Sequence, residues 1–129
     1  MSGQNWSITI TPPLVEGGPA VFTPDLIGAK PGAPLQAGNA DIISWNNRTP
    51  DLHQPVALGP NNQPLPEDQA KAAGLYLSDV IPPNQSSRPG YVTTALTTGQ
   101  VLTINYTCAV HRNELYKIEV YPVEYEGGQ

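Results

Sequence analysis

The chain has 129 residues, a formal net charge of −5 at pH 7, 15 prolines and 12 glycines. This length suits a single domain spanning residues 1–129, and the acidic balance argues against nucleic-acid binding, which depends on clustered Lys and Arg. No apolar run approaches the ~20 residues of a membrane span, and the many prolines and glycines favour strands joined by turns over long helices.

The first half of the chain predicts short strands separated by turns. Residues 6–11 alternate apolar and polar side chains, which is typical of a half-buried strand, and Pro12-Pro13 ends it. Residues 24–37 mix proline, glycine and short apolar pieces. We expect an irregular edge strand and loop there, because proline cannot donate to a central ladder. The other extended segments of this half are predicted at residues 20–23, 41–45 and 53–58, with 41–45 running through the core.

The second half adds one helix and the closing strands. Residues 66–74 place proline and two acids in a first turn and glycine at the end, which predicts a short helix. Strands are predicted at residues 75–81 and 91–96. The stretch from Ile104 to Val120 indicates a strand, a short polar loop and a last strand. Seven or eight short strands with one short helix predict an all-β fold, a Greek-key antiparallel β-sandwich.

The residues with the most distinctive chemistry lie in the loop between the last two strands. Cys108 is the only cysteine, and His111, one of two histidines, follows three residues later. A thiolate and an imidazole at the mouth of one tight loop can meet on one metal ion. This soft pair suits copper or zinc rather than calcium or magnesium. The other histidine is His53, and it follows the segment Trp45-Asn46-Asn47.

In this order and spacing the motifs resemble the cupredoxins, the small blue-copper family that includes plastocyanin and amicyanin. The first histidine of that family follows a strand ending Trp/Phe-x-Asn, which is present here as Trp45-Asn46-Asn47 ahead of His53. The later family pattern, Tyr-x-Cys-x-x-His, is present as Tyr106-Thr107-Cys108-Ala109-Val110-His111. The resemblance extends over roughly residues 40–121.

The resemblance implies a cupredoxin-like sandwich that holds one copper ion per chain. His53, Cys108 and His111 would be its ligands, in the trigonal set that signifies electron-transfer copper in this family. Three amide side chains are expected to hydrogen-bond the surrounding loops to one another, namely Asn46, Asn47 and Gln54.

The sequence departs from the family at the axial ligand, which is usually methionine. The only methionine is Met1, so no thioether can serve. Matching residues 117–120 to the closing strand of the family puts Glu114 in the methionine position, and the resemblance therefore implies Glu114 as an axial ligand. The alternatives there are Leu115, Tyr116 or water, and the family resemblance also implies the backbone carbonyl of Leu52 as a weak ligand. A carboxylate is hard and anionic and favours Cu(II) over Cu(I), so we expect a low reduction potential.

The resemblance implies an electron-transfer protein and not an enzyme. Its expected partner is a redox protein that docks transiently near His111, where Leu52, Ala109, Val110 and Leu115 would form an apolar patch. We expect a periplasmic or otherwise extracytoplasmic protein. The N-terminus shows no signal segment, so we expect that any such segment has been removed. The alternative is a copper protein with an open or exchangeable site that reacts with, or senses, peroxide, nitric oxide or superoxide.

Overall fold

Two four-stranded β-sheets pack around a common core in the computed structural model, which describes residues 4–16, 18–25, 28–60, 62–87, 90–94, 99–109 and 115–122. Within these residues there are eight strands and one helix, which confirms the predicted all-β sandwich. They are β1 (Asn5–Thr11), β2 (Val21–Pro24), β3 (Leu35–Gly38), β4 (Ile42–Asn47), β5 (Pro55–Ala57), α1 (Glu67–Ala73), β6 (Tyr91–Val92), β7 (Leu102–Cys108) and β8 (Leu115–Tyr121).

Each sheet mixes antiparallel and parallel strand pairs. The first sheet has the order β2-β1-β4-β6 and the second has the order β3-β8-β7-β5. The pairs β1–β2 and β7–β8 are antiparallel, whereas β1–β4 and β3–β8 are parallel. The chain leaves the first sheet after β2, adds β3 to the second, and returns as β4 beside β1 in the same direction. The sheets are therefore mixed, whereas the sequence predicted antiparallel ones.

Alternating side chains on the strands build the core between the two sheets. On β1 the side chains of Trp6, Ile8 and Ile10 are buried, while the residues between them are partly exposed. On β4 the Trp45 ring is fully buried, and its indole N–H lies 3.4 Å from the Tyr106 hydroxyl that accepts its hydrogen bond. The prediction of a central strand here is confirmed.

The segment 75–81, predicted to be a strand, is an irregular connection in the structure. Only Ile81 forms a β-bridge, and its partner is His53. The edge of β5 beside this segment is already occupied, because the Leu65 amide donates to the Ala57 carbonyl at 2.9 Å. The segment reads Leu-Tyr-Leu-Ser-Asp-Val-Ile, in which the polar pair Ser78-Asp79 and the apolar pair Val80-Ile81 break the period of two that a half-buried strand needs.

The helix agrees with its prediction from the sequence, and the short strand after it agrees only in part. The helix α1 ends at Gly74, whose φ of 73° is left-handed, as glycine at this position allows. Strand β6 is shorter than the predicted strand 91–96, of which residues 95 and 96 lie outside the described residues. Among the helices described by the structure, none is long and apolar enough to cross a membrane.

A buried carboxylate fastens the β3–β4 turn to the start of β1. Asp41 is fully buried and accepts hydrogen bonds from the Gln4 amide at 2.9 Å, the Trp6 indole at 2.6 Å and the Gly38 amide at 2.7 Å. Three donors compensate the loss of water around this side chain. The turn thereby sets where β4 begins, and β4 leads to the loop that carries His53.

Candidate metal centre

His53 lies at the end of the β4–β5 connection, where backbone hydrogen bonds fix its position. Its amide donates to the Ile81 carbonyl at 3.2 Å, and the Ile81 amide donates to the His53 carbonyl at 2.7 Å. The residue is only 1% exposed. The edge of the Phe22 ring packs against the imidazole, with ring centroids 5.9 Å apart and planes at 85°. The imidazole is therefore held by both the backbone and the aromatic core.

The buried side chain of Asn47 joins the two loops beside His53. Its N–H groups donate to the carbonyls of Asp51, Ile81 and Pro82 at 2.8, 3.1 and 3.2 Å. Its oxygen accepts from the amide and the hydroxyl of Thr49 at 3.0 and 2.8 Å. The predicted role of this amide in tying the loops together is confirmed.

Cys108 is the last residue of β7 and lies opposite Pro55 of β5. It is fully buried, and its Sγ lies 3.5 Å from Nδ1 of His53. The backbone N–H of Gln54 donates to this sulfur at 3.4 Å. In turn, the N–H of Ala109 donates to the Gln54 carbonyl at 2.9 Å. A backbone N–H directed at sulfur stabilises negative charge on it, and a thiolate is the form that binds a metal.

The separation of Nδ1 and Sγ fits two ligands of one metal ion. With a metal–nitrogen distance of ~2.0 Å and a metal–sulfur distance of ~2.3 Å, two tetrahedral ligands stand ~3.5 Å apart. The observed separation of Nδ1 and Sγ is 3.5 Å. Imidazole and thiolate together form a donor set that copper and zinc accept. The two described residues are therefore compatible with joint ligation of one copper or zinc ion.

Burial argues against a role for the same pair as a catalytic nucleophile and base. A nucleophilic cysteine has to be reached by its substrate. Here Cys108 is 0% exposed and His53 is 1% exposed. Neither side chain is open to solvent at its present position.

Two of the four predicted ligands, His111 and Glu114, lie outside the described residues, as does Val110 of the predicted apolar patch. Within the described residues no group of three or more His, Cys, Asp or Glu side chains could hold a metal ion. The structure thus brings His53 and Cys108 together and leaves the other two ligands as predictions.

Two of the alternatives to Glu114 as the axial ligand have their side chains directed elsewhere. Leu115 is 66% exposed. The Tyr116 ring stacks on Phe22 with centroids 4.7 Å apart, and its hydroxyl donates to the Ala20 carbonyl at 2.5 Å. The fourth ligand stays a prediction, with Glu114, water and the backbone carbonyl of Leu52 as candidates.

Gln54 is anchored through its side chain as well as its backbone. Its Nε2 donates to the Ser78 carbonyl at 3.1 Å, which confirms the predicted link between loops. In the same segment the Tyr76 hydroxyl donates to the Asp79 carboxylate, and this hydrogen bond, together with burial, raises the pKa of Tyr76 to about 12. The Gln54 N–H that faces the Cys108 sulfur is thus fixed by the side-chain hydrogen bond to Ser78 and by the backbone hydrogen bond from Ala109.

Exposed apolar side chains adjoin, in sequence, residues that line a cavity with His53. Leu52 of the predicted patch is 46% exposed, while Leu14 and Val15, which sequence reasoning missed, are 76% and 68% exposed. Leu14 and Val15 follow Pro12-Pro13, and these two prolines line a cavity of about 160 Å³ together with His53. The signal that marks them in the sequence is an apolar pair directly after a strand-ending proline pair, where a polar turn is usual.

Comparisons with known proteins support the fold. No protein-family model matches the chain, and no curated protein matches it. Among solved structures, the chain is similar to the 2F4 variant of the multicopper oxidase McoA from the hyperthermophile Aquifex aeolicus, with 14% sequence identity and a TM-score of 0.53. The match covers 98% of this chain and 28% of that chain, so this chain spans little more than a quarter of the oxidase. The fold is cupredoxin-like.

Proposed function

We propose that this chain is a mononuclear copper-binding electron-transfer protein. The observation that carries the proposal is the buried pair of His53 Nδ1 and Cys108 Sγ, 3.5 Å apart in a cupredoxin-like fold. His53, Cys108 and His111 would hold the ion, and Glu114 is proposed as the fourth ligand. Copper, when bound, would supply a one-electron couple.

The contribution of the chain is to hold its ligands still and away from water. Asn47 and the Ile81 bridge fix His53, and the pairing of β5 with β7 fixes Cys108. Ligands that stay in place in both oxidation states favour fast electron exchange. Burial also protects the thiol of Cys108 from oxidation to sulfenic acid.

Partner docking is proposed around His111, on the exposed apolar side chains near the ligands. Among the described residues these include Leu14, Val15 and Leu52 as well as Ala109. A small apolar contact with few charges suits a complex that forms and separates quickly. An extracytoplasmic location, expected from the sequence, stays part of this proposal.

The experiment is to load the full chain with copper and to measure metal content, visible absorption and electron paramagnetic resonance. We expect one copper per chain and an intense sulfur-to-copper charge-transfer band. Cys108→Ser is the matched control, because it removes the only thiol and keeps a side chain of similar size. The variant should stay folded by circular dichroism and lose the band. A colourless wild type, or a Cys108→Ser variant that keeps its colour, would overturn the proposal.

Addition of azide to the same sample separates electron transfer from the alternative function. A closed site should show no spectral change. A new anion-to-copper band would indicate an exchangeable coordination position, and the protein would then be a copper site that reacts with or senses small molecules.

A further inference from the structure

We propose that Asn84 is an acceptor site for an N-linked oligosaccharide. The donor is, by chemical class, an oligosaccharide carried on a polyprenyl diphosphate. The inference goes beyond the proposed function. It needs the extracytoplasmic location that belongs to that proposal, but it needs no copper ion, so the two proposals can fail separately.

Three triplets of the sequence have the acceptor pattern Asn-x-Ser/Thr, in which x is not proline. They are Asn47-Arg48-Thr49, Asn84-Gln85-Ser86 and Asn105-Tyr106-Thr107. Triplets of this kind occur by chance, so the pattern alone selects none of them. Because the hydroxyl two residues after the asparagine is part of the pattern, an enzyme that acts on the folded chain has to reach both side chains. The exposure of these two side chains therefore decides between the triplets.

Two of the triplets are hidden in the folded chain. Asn47 is fully buried, and its N–H groups donate to three backbone carbonyls. Thr49, which supplies the hydroxyl of this triplet, is 3% exposed. Asn105 is exposed on the inner strand β7, but Thr107, which supplies its hydroxyl, is 2% exposed. Neither triplet presents both side chains to an enzyme.

Asn84 lies at the tip of a β-turn, and both side chains of its triplet are exposed. The Gln85 amide donates to the Pro82 carbonyl at 3.3 Å, which closes the turn. Asn84 has a φ of 59°, a left-handed value that asparagine adopts more readily than most residues. Asn84 and Ser86 are both exposed, and among the described residues none forms a hydrogen bond with the Asn84 side chain. The amide nitrogen of Asn84 is thus open to a reagent from solvent.

The turn is held to the first sheet through the residues that follow Asn84. The Asn47 N–H donates to the Gln85 carbonyl at 2.8 Å. The Ser87 N–H donates to the Trp45 carbonyl at 2.8 Å, and the Ser87 hydroxyl accepts from the Trp45 amide at 2.8 Å. None of these hydrogen bonds uses the side chain of Asn84. A glycan on Asn84 would therefore leave them in place.

The transfer step is a substitution at the anomeric carbon of the first sugar. A bond forms between that carbon and Nδ2 of Asn84, and the bond from the carbon to the diphosphate oxygen breaks. The polyprenyl diphosphate leaves with the electron pair of the broken bond, and one proton passes from Nδ2 to a base of the transferase. No atom is oxidised or reduced.

The test presents the folded full chain to a purified oligosaccharyltransferase that recognises Asn-x-Ser/Thr, together with its lipid-linked oligosaccharide. Mass spectrometry of the intact chain counts the glycans, and peptide N-glycosidase converts a modified asparagine into aspartate and so identifies its position. We expect a single glycan, on Asn84. Synthetic peptides of the three triplets are the control, and all of them should be modified, because no fold hides their side chains. A folded chain that stays unmodified, or that carries its glycan on Asn47 or Asn105, would overturn the assignment.

Variants of Ser86 test the recognised hydroxyl without touching Asn84. Ser86→Ala removes the hydroxyl and should abolish the modification, with the loss of one exposed hydrogen bond, to Asn46. Ser86→Thr keeps a hydroxyl and should retain the modification. Asn84→Asp removes the acceptor nitrogen, keeps a side chain that tolerates the left-handed backbone, and should also stay unmodified. Modification of the Ser86→Ala or Asn84→Asp variant would show that the glycan is attached elsewhere.

A second readout follows the full chain through a secretory pathway. When the chain is secreted from yeast behind a cleavable signal peptide, it should carry a glycan on Asn84. The Ser86→Ala variant should be secreted without the glycan and with the same circular dichroism spectrum. A secreted wild type that lacks the glycan would overturn the inference even if it binds copper. A glycosylated chain that forms no coloured copper site would contradict the proposed function and leave the acceptor site standing.

Discussion

Among single residues, Glu114 is the one on which the reduction potential of the proposed copper site depends most. Oxidised copper carries one more positive charge than reduced copper, so a nearby carboxylate stabilises the oxidised form more. Glu114→Met should remove this preference and raise the potential by on the order of 100 mV, given that about 59 mV corresponds to ~1.4 kcal/mol for one electron. Redox titration with spectra at each step measures the change.

Glu114→Gln is the companion variant, since it removes the charge at nearly constant size. It should also raise the potential, though it keeps an oxygen near the metal. If both variants have the wild-type potential, Glu114 faces solvent, and the fourth position is empty or filled by water or the backbone carbonyl of Leu52.

Tyr91 makes the fold sensitive to alkaline pH. Its hydroxyl donates to the Gly74 carbonyl at 2.8 Å, and burial raises the pKa of Tyr91 to about 12 from its ordinary 10.0. The unfolded chain therefore releases this proton first as the pH rises. The contribution of Tyr91 to stability is complete below pH ~10 and is lost as the pH rises from ~10 to ~12.

Tyr91→Phe removes the ionisable group and should flatten this part of the pH profile. The measurement is the urea midpoint of both proteins between pH 8 and the folded pKa of Tyr91, which is about 12. Parallel decline of the two midpoints above pH ~10 would show that other groups account for the alkaline loss.

At the level of elements, the link between the β4–β5 loop and the segment after Ile81 depends on Asn47. Asn47→Ala deletes its donors to three carbonyls and should lower the free energy of unfolding by roughly 2–4 kcal/mol. Because the same loop carries His53, copper affinity should fall by about 10–100-fold. Chemical denaturation and competitive copper titration measure the two effects.

Asn46→Ala is the matched control for Asn47→Ala. The side chain of Asn46 is partly exposed and accepts one hydrogen bond, from the Ser86 hydroxyl at 3.4 Å. Its loss should change the free energy of unfolding by less than about 1 kcal/mol. Equal effects of the two variants would show that the loop is not held through Asn47.

The strands that the sequence predicts correctly are those whose signal is local. Alternation within β1 and β7 marks them without reference to any partner. The segment 75–81, Leu-Tyr-Leu-Ser-Asp-Val-Ile, has apolar residues at both ends but no sustained alternation, and it forms one bridge, at Ile81. Parallel pairing of β1 with β4 depends on the path between the sheets, which no local pattern records.

The candidate site likewise contains residues that a local motif marks and contacts that only the structure reveals. Cys108 is marked by its spacing from His111, and His53 by the motif that precedes it. The contact of Phe22 with His53 has no such marker, because the two residues are far apart in sequence and meet only when the sheets pack. Long-range contacts of this kind have to be read from the structure.

For the whole molecule, copper binding should act as a stabilising ligand that joins residues far apart in the chain. His53 lies two residues before β5, and Cys108 ends β7, which pairs with β5 in the second sheet. An ion that binds only the folded chain adds about 4 kcal/mol when present at a thousand times its Kd. Removing copper with a chelator should therefore lower Tm by on the order of 10 °C.

Cys108→Ser provides the control for this effect, and scanning calorimetry is the measurement. Its Tm should be nearly the same with and without copper. A wild type whose Tm does not respond to chelation would mean that the ion contributes nothing to the stability of the fold.

The lengths of the strands at the sheet edges have a consequence for crowded solutions. In the described part of the chain the edge strands β2, β6, β3 and β5 have four, two, four and three residues, while the inner strands have six or seven. Strand β2 ends in Pro24 and β5 begins with Pro55, and proline has no N–H to offer a neighbouring chain. A second molecule would find too few free backbone groups along these edges to extend either sheet into a fibril. Molecules of this chain would thereby stay dispersed at high concentration.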